Sequence, residues 1–246
     1  MFTIAKYISN SVSINFERVP EIRRKANSFE NLLSDRYSIP QVLPIPDYFE
    51  PNAPRLIFES THGFSQIVIS QLNITLNVTY SQDWQINTDL RLNYLHDRSE
   101  SLFNLLAELG IKATYCGLLT SCVLPSTYDD AQILSKLADS CEYKLPDGEI
   151  NEVIIKNTSI VDHRYFSHIE LSNYRKWPLE AGVIPPQRFV SAKAIERGLS
   201  LSGDFNDRFA FNEQNGYFTS LESINSIIDF GTRHVQSNIN KILEHA

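Results

Sequence analysis

The stretch Pro54–Trp84, PRLIFESTHGFSQIVISQLNITLNVTYSQDW, constrains the fold of this chain more than any other. Leu56, Phe58 and Ser60 alternate with Ile57 and Glu59 until Thr61-His62-Gly63 interrupts the pattern. Ile67, Ile69 and Gln71 then alternate with Gln66, Val68 and Ser70. A third run sets Ile74, Leu76 and Val78 against Asn73, Thr75, Asn77 and Thr79. Period-two alternation rich in β-branched residues, cut by a short glycine-containing turn, predicts an antiparallel meander. The third run is apolar on one side and Asn/Thr on the other. One face of the sheet is therefore expected to pack on helices while the other meets solvent or a partner.

Before the meander, residues 3–8 and 11–17 have strand character, with Val12, Ile14 and Phe16 alternating against Ser11, Ser13 and Asn15. Pro20 opens a helix with Ile22, Ala26, Phe29 and Leu33 at helical spacing, a place where proline is tolerated. Pro40, Pro44, Pro46, Pro51 and Pro54 make residues 37–54 an extended connector. Its Val42, Leu43, Ile45, Tyr48 and Phe49 lay it against the body of the protein.

After the meander, residues 88–109 predict a long helix with Leu92, Leu95, Leu102, Leu106 and Leu109 on one stripe. Gly110 stands at its C-terminal cap, and the polar HDRSE turn (96–100) is expected to be exposed. Residues 111–123 predict a strand stopped by Pro125, and 129–139 a short helix. In the second half, 151–157, 160–171, 189–194 and 199–211 predict strands. Residues 221–244 predict a final helix striped by Ile224, Ile228, Val235, Ile239 and Ile242. Thr219 and Glu222 are in capping-box register at its start. Gly231 weakens its middle by about 1 kcal/mol relative to alanine.

This order (β, α, three strands, α, β) resembles a ferredoxin-like, split βαβ plan with one extra strand. The expected class is α+β, an antiparallel sheet with helices mainly on one face. A division near 145–150 separates halves 1–146 and 147–246, either distinct or parts of one continuous domain, and the proline-interrupted 178–187 stretch is a further candidate boundary.

Composition narrows the function classes. A chain of 246 residues, 42% hydrophobic and 21% charged, can bury a substantial core. Its net charge of −7 disfavours nucleic acid, because a domain that grips phosphate backbones is usually basic. Arg23-Arg24-Lys25 reads as a solvated helix face. The N-terminus, MFTIAKYISNS, lacks a signal peptide's apolar core, and no stretch approaches the roughly 18 apolar residues of a membrane span. A cytoplasmic location away from membranes is expected. Cys116, Cys122 and Cys141 read as reduced thiols. Cys116 and Cys122, on one strand, would lie roughly 20 Å apart, too far for a disulfide or a shared metal.

The familiar catalytic and cofactor signatures (a Gly-rich phosphate loop, paired CxxC, HExxH, GxSxG) do not occur, so no cofactor is expected. Three constellations nevertheless invite a chemical reading. In Asp162-His163-Arg164-Tyr165-Phe166-Ser167-His168, the two histidines point opposite ways on a strand but could converge across a turn for metal or acid–base work. In Gly203–Phe211, a continuous strand sets Phe205, Phe209 and Phe211 on one face. It sets Asp204, Asn206 and Arg208 on the other as a ligand or partner face. Asp207 falls on the aromatic side, so either the strand bulges or the carboxylate is used. Candidate catalytic residues are thus Asp204, Asp207, His163 and His168. Glu142-Tyr143-Lys144, preceded by Asp129 and Asp130, has the E-x-K form of metal-dependent nucleases, whose carboxylates hold one hard cation.

The spacing of Pro54-Arg55-Leu56-Ile57-Phe58, Gly63, Tyr80 and Trp84 resembles a sporadically distributed bacterial family of about 250 residues, best over 54–124. The family carries no catalytic assignments that could be placed on these positions. Its patchy distribution implies mobile or defence-associated gene neighbourhoods.

The function expected from these features is a non-catalytic protein–protein interaction module, with a protein partner or self-association. The rivals are a metal-dependent hydrolase or nuclease using Asp204 and Asp207, and a small-molecule sensor with a pocket between sheet and helices.

Overall fold

A computed structural model describes residues 1–139, 150–178 and 193–244. Its strands are β1 (Lys6–Phe16), β2 (Gln41–Val42), β3 (Leu56–Glu59), β4 (Ser65–Ile69), β5 (Asn73–Thr79), β6 (Ala113–Pro125), β7 (Ile154–Val161), β8 (Tyr165–Lys176) and β9 (Glu196–Asn206). The helices are α1 (Ala26–Leu33), α2 (Thr88–Glu108), α3 (Asp130–Asp139), α4 (Arg208–Glu213) and α5 (Leu221–Glu244), with a 3₁₀ turn leading into each of α1 and α2. Among the described residues all nine strands form one antiparallel sheet, in the order β2-β3-β4-β5-β1-β6-β9-β8-β7. The fold is α+β. No helix among the described residues is long and apolar enough to cross a membrane.

The meander forms as its alternation predicts, pairing Leu56 with Ile69, Ile67 with Leu76, and Ile69 with Ile74. The expected strands at 3–8 and 11–17 are one strand, β1, with an irregularity between Tyr7 and Ser9 where it pairs with β6. β1 is flanked on both sides, by β5 and β6. Both run antiparallel to it, so they run parallel to each other with α2 as the crossover between them.

One side of every central strand is buried and mostly apolar, with Asn10 and Thr120 as a cross-strand polar pair: Val12, Ile14, Leu76, Leu118, Cys122, Leu201 and Phe205 all face a core shared with Leu95, Leu106, Ile133, Ile228 and Val235 of the helices. That core draws on residues from both expected halves. β6 and β9 pair from Gly117–Asn206 to Pro125–Gly198, across the proposed 146/147 division.

The long helices end and pack as their sequences direct. Gly110 takes φ +69°, and Ile111 N donates to Leu106 O at 2.8 Å, closing a Schellman turn after α2. The HDRSE turn is only partly exposed. His96 bridges α2 to α5, with Nδ1 2.8 Å from Asn225 Oδ1 and Nε2 2.9 Å from Asp229 Oδ1, while Ser99 is buried. The proline-rich connector lies against the body as expected. Fully buried Arg55 donates to the carbonyls of Ala53 (2.6 Å), Pro46, Phe49 and Glu50, gathering the loop around one guanidinium.

Several expectations change. The predicted strand at 160–171 is interrupted by a three-residue hairpin connection, 162–164, with Asp162 and His163 at positive φ and Arg164 N donating to Val161 O. The predicted strand at 199–211 ends at Asn206, where the chain turns into α4. The capping residue of α5 is Ser220, whose Oγ accepts from Ser223 N, and not Thr219. Cys141, the Glu142-Tyr143-Lys144 triplet, 145–149 of the expected division, the 179–187 part of the proline-interrupted stretch and 189–192 of a predicted strand lie outside the described residues.

Candidate functional site

Among the described residues the long helices cover one face of the sheet and leave most of the other open. Period-two geometry puts Asn73, Thr75 and Asn77 of β5, Ser9, Ser11 and Ser13 of β1, Ser121 of β6, and Ser200, Ser202 and Asp204 of β9 on that open side, opposite the buried residues of the same strands. Register then decides which meet. One row crosses six strands as Asn77, Ser11, Leu119, Asp204, His168 and Thr158. The adjacent row runs Ser9, Ser121, Ser202, Glu170 and Lys156.

Between these rows lies a shallow groove of about 410 Å³, bordered by the serines, Leu119, Lys156, His168, Glu170 and Asp204. Leu119 stands between Ser11 and Asp204 with 52% of its surface exposed. Ser11 Oγ donates to Asn77 Oδ1 at 2.8 Å, and His168 Nδ1 meets Thr158 Oγ1 at 2.8 Å while its ring stacks on Phe166. Asp204 Oδ1 accepts from Asn206 Nδ2 at 2.9 Å. The groove therefore offers hydroxyl donors and acceptors, two carboxylates, one ammonium and one imidazole beside one exposed apolar side chain. It suits hydrogen-bonded recognition. His168 Nδ1 is paired with the Thr158 hydroxyl rather than with one of the groove's serines.

The residues singled out in the sequence are distributed differently from expectation. His168 and Asp204 come together as cross-strand neighbours on the open face. His163 is at the exposed tip of the β7–β8 hairpin, so the turn does not bring the two histidines together. Asn206 ends β9, and its Oδ1 accepts from Arg208 N. Arg208 opens α4, its guanidinium 5.7 Å from the Tyr115 ring centre, so the expected Asp204-Asn206-Arg208 strand face stops one residue short. The aromatic face also dissolves. Phe205 is buried in the core, whereas Phe209 and Phe211 of α4 meet Phe166 and Tyr115 at the rim of the open face.

Asp207 is wholly buried, on the far side of the sheet from Asp204. Its Oδ1 accepts from Cys116 N at 2.7 Å, and its Oδ2 accepts from Tyr217 Oη at 2.7 Å and Thr219 Oγ1 at 2.6 Å. A carboxylate so enclosed fastens the β9–α4 corner to β6 and to the loop before α5. Burial, reinforced by the Asp207 charge, pushes the Cys116 thiol well above its usual range, and burial with the same carboxylate raises Tyr217 to about 12. Both groups stay protonated, which fits a structural cysteine rather than a nucleophile. Asp204 and Asp207 do not converge, and among the described residues no three His, Cys, Asp or Glu side chains are grouped to hold a metal ion.

No protein-family model and no curated protein matches the chain. The positions that carry the resemblance to a bacterial family are scaffold. Arg55 is the buried anchor of the connector, Gly63 takes the positive φ of the β3–β4 turn, and Tyr80 and Trp84 stack with ring centres 6.5 Å apart.

The groove residues that sequence reading passed over are Ser9, Leu119, Ser121, Lys156, Glu170 and Ser202. Their alternation with buried neighbours marks them as outward-facing. Only strand register, which pairs Ser9 with Ser121 and Ser121 with Ser202, shows that they adjoin.

Proposed function

We propose that the protein is a non-catalytic interaction module that receives a protein partner on the open face of its sheet. The observation that carries this reading is Leu119, an exposed leucine between Ser11 and Asp204 on a hydroxyl-rich surface assembled from β1, β6, β9, β8 and β7. An exposed apolar side chain among polar groups that can exchange water for partner hydrogen bonds suits a recognition patch. The net charge of −7 weighs against a phosphate backbone as the ligand. A mobile or defence-associated genetic setting, implied by the resemblance over 54–124, belongs to the same proposal.

The test is affinity capture from the protein's own host, comparing wild type with Leu119→Lys and with Glu213→Lys, an exposed change on α4. A stoichiometric protein retained by wild type and Glu213→Lys but lost on Leu119→Lys supports the reading. A partner retained by all three places binding elsewhere.

The groove favours a second reading, a sensor of a small polar ligand, because its volume falls in the range of ligand sites. A metabolite screen by thermal shift separates the two, since any ligand of the native state raises Tm.

A further inference from the structure

The two edges of the sheet differ. At one end β2 is two residues long and is bracketed by Pro40, Pro44 and Pro46, which cannot donate to another strand. At the other end β7 runs for eight residues, IIKNTSIV, and no described residue pairs with its outer side. It contains no proline or glycine, and Lys156 is its only charged residue. A long, regular edge with few charges presents a row of free N–H and C=O groups to another strand.

The side chains specify which strand. Ile154 and Ile160 share the open face with Lys156 and Thr158, and they are 56% and 51% exposed. They lie three residues before and three after Asn157, as Val153 and Val161 lie four before and four after. A two-fold axis perpendicular to the sheet is the symmetry that pairs identical edge strands antiparallel while keeping both helix layers on one side. Such an axis places residues symmetric about one position directly opposite each other. Centred on Asn157, it sets Ile154 against the second copy's Ile160, and Val153 against its Val161, each contact occurring twice. Centred on Thr158, it would set Ile160 against Lys156 and Ile154 against Asp162, putting charge on apolar surface. A strand from an unrelated protein has no need of this self-symmetry, whereas an isologous contact requires it.

We infer that β7 pairs with β7 of a second copy, antiparallel and centred on Asn157, joining two sheets into one. The two open faces then lie side by side as one surface. The pairing does not depend on the recognition role proposed for that face.

The test uses purified full-length protein and light scattering or sedimentation across the micromolar range. The expected mass is twice the 28.1 kDa of one chain. Ile154→Lys with Ile160→Lys opposes like charges, and is expected to weaken the dimer by more than about tenfold. Ile154→Glu with Ile160→Lys restores it, because the substituted positions face each other. Both side chains are already exposed, so circular dichroism and Tm should stay near wild type. As an independent readout, Asn157→Cys forms a disulfide-linked dimer on mild oxidation, whereas Ser159→Cys, off the axis, does not. A monomer throughout this range, a dimer indifferent to the double-lysine variant, or equal cross-linking at 157 and 159 would overturn the inference.

Discussion

Asp207 and Cys116 clasp each other's main chains: Asp207 Oδ1 accepts from Cys116 N at 2.7 Å, and Asp207 N donates to Cys116 O at 3.2 Å. Asp207 occupies the N-cap position of α4 but makes no side-chain cap there, because its carboxylate is turned into the core. Asp207→Ala would leave the Cys116 amide and the hydroxyls of Tyr217 and Thr219 without their acceptor. Each stranded buried group costs about 1–3 kcal/mol, so a loss of about 3 kcal/mol or more is expected in urea unfolding. Asp204→Asn on the open face should change stability by less than about 0.5 kcal/mol. Equal effects at the two positions would refute the structural role assigned to Asp207.

At Gly231 α5 packs tightly against the sheet. A Cβ there would stand 2.6 Å from Phe205 Cδ2 and 2.9 Å from Leu118 Cδ2. Helix propensity alone makes Gly231→Ala stabilising by about 1 kcal/mol. Overpacking opposes it by about 1–3 kcal/mol, so the net change is expected to be destabilising. Chemical denaturation gives the sign directly, and a stabilised alanine variant would contradict the close approach.

Arg55 organises the proline-rich loop through main-chain carbonyls alone. Arg55→Met keeps much of the side chain's length but removes every donor. Faster amide exchange and earlier proteolytic cleavage within residues 44–54 are expected, with a stability loss of about 2 kcal/mol. Unchanged protection of that loop would show that its apolar side chains suffice to hold it.

His234 packs against Phe205 and Phe230. Burial first, and the Lys241 charge second, lower it from its ordinary 6.5. The unfolded chain therefore binds this proton more readily than the folded one, and stability present above pH 6.5 declines as pH falls toward the folded value. Tm measured from pH 7.5 to 5 should show a decline that flattens partly in His234→Phe. Identical profiles for the two proteins would remove His234 as a contributor.

The elements whose signal is local were legible. The β3–β4–β5 meander, α2 with its Gly110 cap and the span of α5 follow from alternation, helical spacing and turn chemistry, which act within a few residues. The turn at Asp162-His163 is masked because histidine stands where the usual Asp-Gly signal has glycine, and the flanking β-branched residues continue the strand pattern. Thr219 was misread as a helix cap because its hydroxyl has a stronger use, hydrogen-bonding to a buried carboxylate twelve residues earlier.

The candidate site divides along the same line. Alternation by itself determined that Ser11, Asn77 and Asp204 face away from buried neighbours, and that the sheet has one apolar and one polar side. Only the tertiary structure decided that Asp204 stands beside His168 and Leu119, or that Asp207 turns inward to Cys116. Period two fixes the direction of a side chain, but neighbours across a sheet depend on pairing between distant segments. That pairing is settled by how the whole apolar surface is buried at once.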